Sequence, residues 1–335
     1  MKYFIGNLPS FYRIEQWNRI SQKTELFVII TDDLNLKDRN KDFYSGVIKF
    51  NHAYLSGNKV KRIIRMIELL RQDSYSELIV DGWNSSFTWL AALLSPKKKN
   101  SCIVESTIYE STIVGFHGLL KRLFLKRMSK AYPCGKAHVE LIKRLGFNGR
   151  IVETGGCGIL NYKPQPEYQT RELVRNFLFV GRLVEVKNLK MLVEVFNELP
   201  HLNLLIVGFG DQEKTLKKIA RKNISFAGAV KNQEVWSYYR NADVFILPSK
   251  SETWGLVVEE ALNNGTPVIV SNKVGCNNEL AKSDYGIVFR YDSKDSLKKA
   301  IVEMTNVSYY NSLRNNISKI DFAKRAQHQI DIFTE

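Results

Sequence analysis

The sequence predicts an α/β fold of two domains, each with a mainly parallel sheet covered by helices. The chain has 335 residues, which is more than a single domain usually holds. Short apolar runs alternate with helix-period segments along both halves, a pattern typical of consecutive βα units. Between the halves, Asn161–Pro166 carries two prolines among polar residues and predicts an extended linker.

The elements of the first half follow in the order expected of βα units. Strands are predicted at Tyr3–Ile5, Leu26–Ile30, Val47–Phe50, Leu78–Val80, Ser101–Val104 and Arg150–Glu153. Helical segments between them are predicted at Lys59–Leu70, Thr88–Leu94 and Lys136–Leu145. We therefore place a first domain at 1–163.

The second half repeats this alternation more regularly. Strands are predicted at Phe177–Val180, Leu204–Val207, Ile224–Phe226, Val244–Leu247, Pro267–Val270 and Ile287–Phe289. Helices are predicted at Leu189–Glu198, Gln212–Lys222, Gln233–Tyr239, Leu256–Asn263 and Lys294–Met304. A second domain is expected at 167–307, and two such domains imply two Rossmann-like lobes facing each other across a cleft.

The composition is that of an ordinary globular protein, with 44% hydrophobic and 25% charged residues, so extensive disorder is not expected. No apolar run approaches the ~20 residues of a membrane span, and residues 1–9 lack the pattern of a signal peptide. A soluble cytoplasmic protein is therefore expected. The cysteines are too widely spaced for a metal or redox motif, so free buried thiols are expected at Cys102, Cys134, Cys157 and Cys276.

The net charge of +15 is concentrated in the first half. Residues 1–165 hold 26 Lys and Arg against 14 Asp and Glu, whereas residues 166–335 hold 23 against 20. Such a field attracts nucleic acid, anionic membranes or phosphorylated substrates. A lysine-rich genome would explain part of the excess but not its asymmetry.

Cations and glycines follow the predicted strands of the second half, where ligands of open parallel sheets bind. Gly181 and Arg182 come directly after one strand, with Lys187 five residues further on, and Gly208 and Gly210 follow the next. Arg and Lys in such positions can clamp a diphosphate. A solvated pair of charges is the alternative interpretation.

The segment after Val244–Leu247 predicts a nucleotide site at the start of a helix. The helix that begins at Gly255–Leu256 offers unpaired N–H groups and the positive end of its dipole to a phosphate. Glu260 lies one turn further on, where a carboxylate can accept hydrogen bonds from ribose hydroxyls, whereas Glu259 is rotated by about 100°. Glu252 precedes the helix and can meet the donor sugar. Ordinary helix-end charges are the alternative.

These motifs together resemble the donor domain of retaining glycosyltransferases of family 4, which have the GT-B fold of two Rossmann-like domains. The resemblance covers about residues 174–290. The matching motifs are Gly181-Arg182-Leu183 with Lys187-Asn188-Leu189, Val207–Gly210, Glu252–Leu262 and Gly265–Ile269.

The resemblance implies a donor site that binds a nucleotide diphosphate sugar. In it, Arg182 and Lys187 would bind the phosphates, Glu252 the sugar, Glu260 the ribose, and Val230 would lie where the base is held. The remaining donor residues would be Gly181, Gly208, Trp254, Gly255 and Leu256. The family transfers sugar with retention, needs no essential metal, and stabilises the leaving diphosphate electrostatically. It also implies a helix at about 308–335 that crosses back to the first domain.

The first half matches that family less closely. Where members often carry a histidine, the strand Ser101–Val104 ends in Glu105-Ser106-Thr107, as in a bacterial polysaccharide-assembly branch. Glu105 would then face the reaction centre and join Arg182, Lys187 and Glu252 as a catalytic candidate, with a strand-end carboxylate as the alternative. Gly6 occupies the place of the family's first glycine loop, on the acceptor side, but the usual second glycine is absent.

Two further patterns bear on metal and membrane. Asp32-Asp33 is a relative of the metal-binding D-x-D motif, and its position after a predicted strand favours a polar turn. Leu119–Lys130 and Lys59–Arg71 mix cations with large apolar residues, and Lys97–Lys99 adds a basic loop. Such segments can lie on an anionic membrane surface, or pack on the sheet with their cations in water.

We therefore predict a retaining hexosyltransferase that uses a UDP-sugar, or alternatively a GDP-sugar, and a growing, lipid-linked glycan in cell-surface polysaccharide assembly. It would work without a metal cofactor, in the cytoplasm or peripherally on the inner face of the plasma membrane. A sugar-nucleotide epimerase or a phosphorylase is the enzymatic alternative. A basic membrane- or nucleic-acid-binding protein is the non-catalytic one, but no nucleic-acid module is found, so no nucleic-acid partner is expected.

Overall fold

The computed structural model describes residues 1–7, 9–31, 46–72, 74–156, 162–282 and 284–335. It divides the chain into two compact units. The first unit comprises Met1–Leu160 with Lys324–Glu335, and the second comprises Asn161–Ala323. Asp32, Asp33, Cys157 and Asn161, for which predictions were made above, lie outside the described residues.

The first unit has a seven-stranded parallel sheet of order β3-β2-β1-β4-β5-β6-β7. Its strands are β1 Lys2–Gly6, β2 Leu26–Ile30, β3 Asn51–Tyr54, β4 Glu77–Val80, β5 Asn100–Val104, β6 Lys130–Pro133 and β7 Arg150–Ile151. Its helices are α1 Phe11–Ser21, α2 Lys59–Gln72, α3 Ser86–Leu94, α4 Gly115–Lys126 and α5 Lys136–Arg144. The central strands β1, β4 and β5 are buried along their whole length, as expected of a parallel sheet with helices on both faces.

The second unit has a six-stranded parallel sheet of order β10-β9-β8-β11-β12-β13. Its strands are β8 Asn176–Val180, β9 Asn203–Val207, β10 Ile224–Gly228, β11 Val244–Leu247, β12 Val268–Ser271 and β13 Gly286–Phe289. Its helices are α6 Leu189–Asn197, α7 Glu213–Ile219, α8 Val235–Asn241, α9 Leu256–Asn263, α10 Asn277–Leu280, α11 Lys294–Met304 and α12 Val307–Ile317. The predicted α/β fold with two parallel sheets is confirmed.

The C-terminal segment is shared between the two units. Helix α12 lies in the second unit, and α13 (Phe322–Asp331) leads into the first. Phe333 packs against Phe4 and Tyr132 of the first sheet, with ring centroids 5.7 and 4.8 Å apart. The segment 308–335 is thus two helices, and the part from Lys324 onward belongs to the first unit.

The strand predicted at Val47–Phe50 is wrong. The third strand is Asn51–Tyr54. In the segment just before it, backbone groups form hydrogen bonds with the side chain of Asn18 instead of with a neighbouring strand. Its amide donates to the Val47 carbonyl at 2.9 Å and accepts from the Lys49 N–H at 2.8 Å. Hydrogen bonds from a side chain distant in the sequence therefore replace the sheet ladder there.

Helix α1 is absent from the sequence-based prediction because its buried face is partly polar. Arg13, Gln16 and Asn18 are buried together with Ile14 and Trp17, so the apolar period is interrupted. Among the described residues, no helix is both long and apolar enough to cross a membrane. Cys102, Cys134 and Cys276 are buried free thiols, as predicted.

Candidate donor and acceptor sites

The order of strands reverses between β8 and β11 in the second unit, which is where open parallel sheets bind ligands. The loops after these two strands meet there, because the Lys250 N–H donates to the Val186 carbonyl at 2.8 Å. Lys187 forms an ion pair with Glu252 across the same junction. Their side chains are only 14% and 19% exposed, so two predicted site residues form a half-buried pair of opposite charges.

A second ion pair crosses the same two loops on the outside. Lys250 pairs with Glu185, and their side chains are 41% and 72% exposed. Exposed pairs of this kind contribute little to stability because water and salt screen them. The two pairs therefore differ in burial while sharing the loops that carry them.

The glycines at the strand ends are required by close approach of the backbone. Gly208 has φ +131°, and a Cβ there would lie 1.9 Å from the Gly181 carbonyl oxygen. At Gly210 a Cβ would lie 2.4 Å from the Leu183 carbonyl oxygen. The loops after β8 and β9 are thus packed backbone against backbone, and Gly181 and Gly208 lie against each other.

Helix α9 begins directly after a glycine that turns the chain. Gly255 lies before Leu256 with φ +100°, which a residue with a side chain rarely adopts. Below it, the Gly275 N–H donates to the Glu252 carbonyl at 2.9 Å, and a Cβ at Gly275 would lie 1.7 Å from the Thr253 carbonyl oxygen. These contacts hold the loop of Glu252 against the segment between β12 and α10.

The two adjacent glutamates of α9 have different surroundings. Glu259 is fully buried and accepts a hydrogen bond from the Trp254 indole N–H at 3.2 Å. Glu260 is half-buried and accepts a hydrogen bond from the Tyr239 hydroxyl at 2.8 Å. Burial raises the pKa of Glu260 to about 7, although the Tyr239 hydrogen bond opposes the rise. Glu260 is the one of the two with a side chain that reaches the surface.

The other predicted donor residues differ in exposure. Arg182 is exposed, and no ion pair joins it to another described residue. Trp254 is buried, so its indole supports Glu259 and is not accessible to a ligand. Val230 is half-buried in the loop after β10.

The first unit carries an ion cluster at the corresponding edge of its own sheet. Its strand order reverses between β1 and β4, whose ends bear Gly6 and Asp81. The buried Arg13 of α1 donates to Glu105, which follows β5, at 2.6 Å, and lies 3.6 Å from Asp81. Gly6 and Glu105 were predicted from the sequence, whereas Arg13 and Asp81 belong to no motif and were not.

Among the described residues, no group of three or more His, Cys, Asp or Glu side chains is arranged to hold a metal ion. Tyr239 is a further site residue that the sequence analysis did not single out. Its hydrogen bond to Glu260 depends on the packing of α8 against α9, which no local sequence pattern shows.

Residues 165–320 match the family model of glycosyl transferases group 1. Sulfoquinovosyl transferase SQD2 of Arabidopsis thaliana is 33% identical over 110 residues, which are 32% of this chain and 22% of that protein. The O-antigen biosynthesis glycosyltransferase WbnH of Escherichia coli is 29% identical over 274 residues, 77% of this chain and 76% of WbnH. The crystal structure of Anabaena HepE in complex with UDP and glucose superposes with a TM-score of 0.72 at 13% identity, over 98% of this chain and 97% of HepE.

The fold is GT-B, with two Rossmann-like parallel-sheet units. The match of residues 165–320 to group 1 glycosyl transferases, together with relatives that are named glycosyltransferases, indicates an enzyme that transfers glycosyl groups. Relatives of this chain include proteins of O-antigen biosynthesis.

Proposed function

We propose that the chain is a retaining hexosyltransferase that takes its sugar from a nucleotide diphosphate sugar, a UDP-sugar in preference to a GDP-sugar. The observation that carries the proposal is the half-buried Lys187–Glu252 pair at the strand-order reversal of the second sheet. In this pair, a cation that can bind a diphosphate lies beside a carboxylate that can accept hydrogen bonds from sugar hydroxyls. The UDP complex of HepE, a protein of the same fold, is in keeping with this donor.

In this scheme, the phosphates, the sugar and the ribose of the donor would each be bound by different residues. Arg182, which is exposed, and Lys187 would bind the two phosphates, and the N–H groups at the start of α9 would add to them. Glu252 would accept hydrogen bonds from the sugar and Glu260 from the ribose. Positive charge at the diphosphate would stabilise the leaving group without a metal ion. The acceptor hydroxyl would attack from the face that the nucleotide leaves, which retains the configuration.

We propose a growing, lipid-linked glycan of cell-surface polysaccharide as the acceptor, bound by the first unit at Gly6 and Glu105. The names of relatives such as WbnH support this pathway. The reaction would take place at the cytoplasmic face of the plasma membrane, with the protein attached peripherally.

Helix α4 supports the membrane part of this proposal. Phe116, Leu119 and Leu123 lie on one side of the helix and are 69%, 50% and 43% exposed, while Phe124 and Leu125 pack inward. Lys126 is exposed on the same helix. An apolar stripe beside cations is the pattern of helices that lie in the surface of an anionic membrane.

Sedimentation with phosphatidylglycerol vesicles at low salt tests this surface. We expect the protein to sediment with them, and the Leu119→Ser/Leu123→Ser variant to stay in solution. Val302→Ser, at an equally exposed apolar residue of α11, is the matched control and should sediment normally. Retention of the unaltered protein in solution would contradict the membrane proposal alone.

The enzymatic proposal is tested by nucleotide release from a panel of UDP- and GDP-sugars, with membrane extract as acceptor. We expect release from one sugar nucleotide, dependent on extract, with the anomeric configuration of the donor in the product by NMR. Arg182→Ala and Glu260→Ala should both lower the rate strongly. Isomerisation of the sugar nucleotide without acceptor would instead indicate an epimerase, and unchanged rates in both variants would refute these assignments.

A further inference from the structure

Arg13 is a buried cation in a part of the first unit where the rest of α1 packs against the sheet. Its guanidinium is held from behind, because Nη1 donates to the Gln16 side chain at 2.8 Å within the same helix. Its other nitrogen, Nη2, donates to Glu105 at 2.6 Å and lies 3.6 Å from Asp81. The head group is therefore fixed on one side and directed toward the ends of β4 and β5 on the other.

Glu105 differs from Arg13 in exposure. Its side chain is 46% exposed, while that of Arg13 is 9% exposed. A ligand could therefore meet Glu105 but not Arg13. The buried member of the pair can act on a substrate only through the exposed one.

We propose that Arg13 is the positioning residue for Glu105, orienting its carboxylate toward the acceptor hydroxyl. This inference rests on the proposed function, in which Glu105 lies on the acceptor side. The planar fork of arginine suits the task, since one nitrogen is anchored on Gln16 while another binds Glu105. A lysine at position 13 would keep the charge but would lose one of these two bonds.

Because charged groups surround Glu105, the positioning role of Arg13 can be tested through the pH dependence of kcat. Burial and the neighbouring carboxylate of Asp81 raise the pKa of Glu105, and Arg13 opposes both. Weakening the Arg13 contact should therefore move the acid limb of the kcat profile to higher pH. A residue with a purely structural role would lower the amount of active enzyme without moving that limb.

A second buried ion cluster at the opposite edge of the same sheet provides the matched control. Glu77, at the start of β4, accepts from Ser101 and Tyr132 and pairs with Lys2 and Lys130. Although burial opposes its charge, these partners hold the pKa of Glu77 at about 2. Glu77→Gln should therefore lower stability while leaving the rate per folded molecule unchanged.

The test is a double-mutant cycle on acceptor-dependent transfer, with nucleotide affinity measured in parallel. We expect Arg13→Lys to lower kcat by about 10-fold, with the KM for donor unchanged and the acid limb shifted upward. In the Glu105→Gln background, the same change should alter kcat by less than about 2-fold, because the residue acts through Glu105.

Each remaining outcome has a distinct meaning. An equal loss in both backgrounds, or a loss in Glu77→Gln as large as in Arg13→Lys, would overturn the positioning role and leave the proposed function standing. If Arg13→Lys is too unstable to assay, Gln16→Leu releases the guanidinium more gently and should show the same shift of the acid limb. Absence of transfer by the unaltered chain, with nucleotide still bound, would overturn the proposed function and the role of Arg13 with it.

Discussion

The two units have parallel sheets with the same reversal of strand order, yet the edges where ligands are expected are built differently. In the second unit, backbone approaches backbone so closely that Gly208 and Gly275 leave no room for a Cβ. In the first unit, a Cβ at Gly6 would have its nearest neighbour, an Asp81 side-chain oxygen, at 3.5 Å. That edge is organised instead by the buried guanidinium of Arg13.

This difference separates two kinds of site. A loop packed backbone against backbone requires glycine at fixed positions, so backbone packing sets its geometry. At the other edge, a long-range ion pair between side chains sets the geometry. The proposed donor edge is thus fixed by backbone contacts, and the proposed acceptor edge by side-chain contacts.

The largest expected effect concerns the glycines themselves. Gly208→Ala should lower the apparent melting temperature by about 10 °C or more, because its Cβ would overlap the Gly181 carbonyl oxygen at a backbone angle that alanine avoids. Gly6→Ala, where the space exists, should change it by less than about 3 °C. Differential scanning fluorimetry measures both, and equal losses would remove the distinction between the two edges.

A smaller effect is expected from the two ion pairs of the second unit. Lys187→Ala should lower kcat by about 100- to 1000-fold, as the loss of a group that stabilises a leaving diphosphate does. Lys250→Ala removes the exposed pair from the same loops and should lower kcat by less than about 2-fold. Steady-state rates with saturating donor compare them, and similar losses would mean that Lys187 acts by holding the loops together.

The same distinction explains what the sequence could predict. The strands of the second unit and the helix Leu256–Asn263 were predictable because each depends on residues close together in the chain. The glycines Gly181 and Gly208 were recognisable because they follow predicted strands directly. The hydrogen bond between Arg13 and Glu105 joins residues 92 positions apart, so no local pattern predicts it. Because the buried face of α1 is partly polar, the sequence did not predict this helix either. Glu260 was distinguished from Glu259 by helix rotation, but its partner Tyr239 depends on the packing of α8 against α9.

The smallest expected effect is a pH dependence of donor binding at Glu260. Because burial raises its pKa to about 7, the carboxyl is largely protonated at pH 6 and cannot accept hydrogen bonds from both ribose hydroxyls. Affinity should therefore rise with pH through 7 and level off above 8, with the Kd about 10-fold weaker at pH 6 than at pH 8.

Calorimetric titration with an intact sugar nucleotide isolates this effect, since its phosphates are diesters and do not titrate in that range. Glu260→Gln should bind weakly at every pH and lose the dependence. Tyr239→Phe should keep a pH dependence, but the midpoint should move to higher pH. The hydroxyl that opposes the rise of the Glu260 pKa is absent from this variant. An affinity that does not change with pH in the unaltered protein would mean that the ribose binds elsewhere than at Glu260. The part of the donor edge that depends on a side chain, as the acceptor edge does, would then also lie elsewhere.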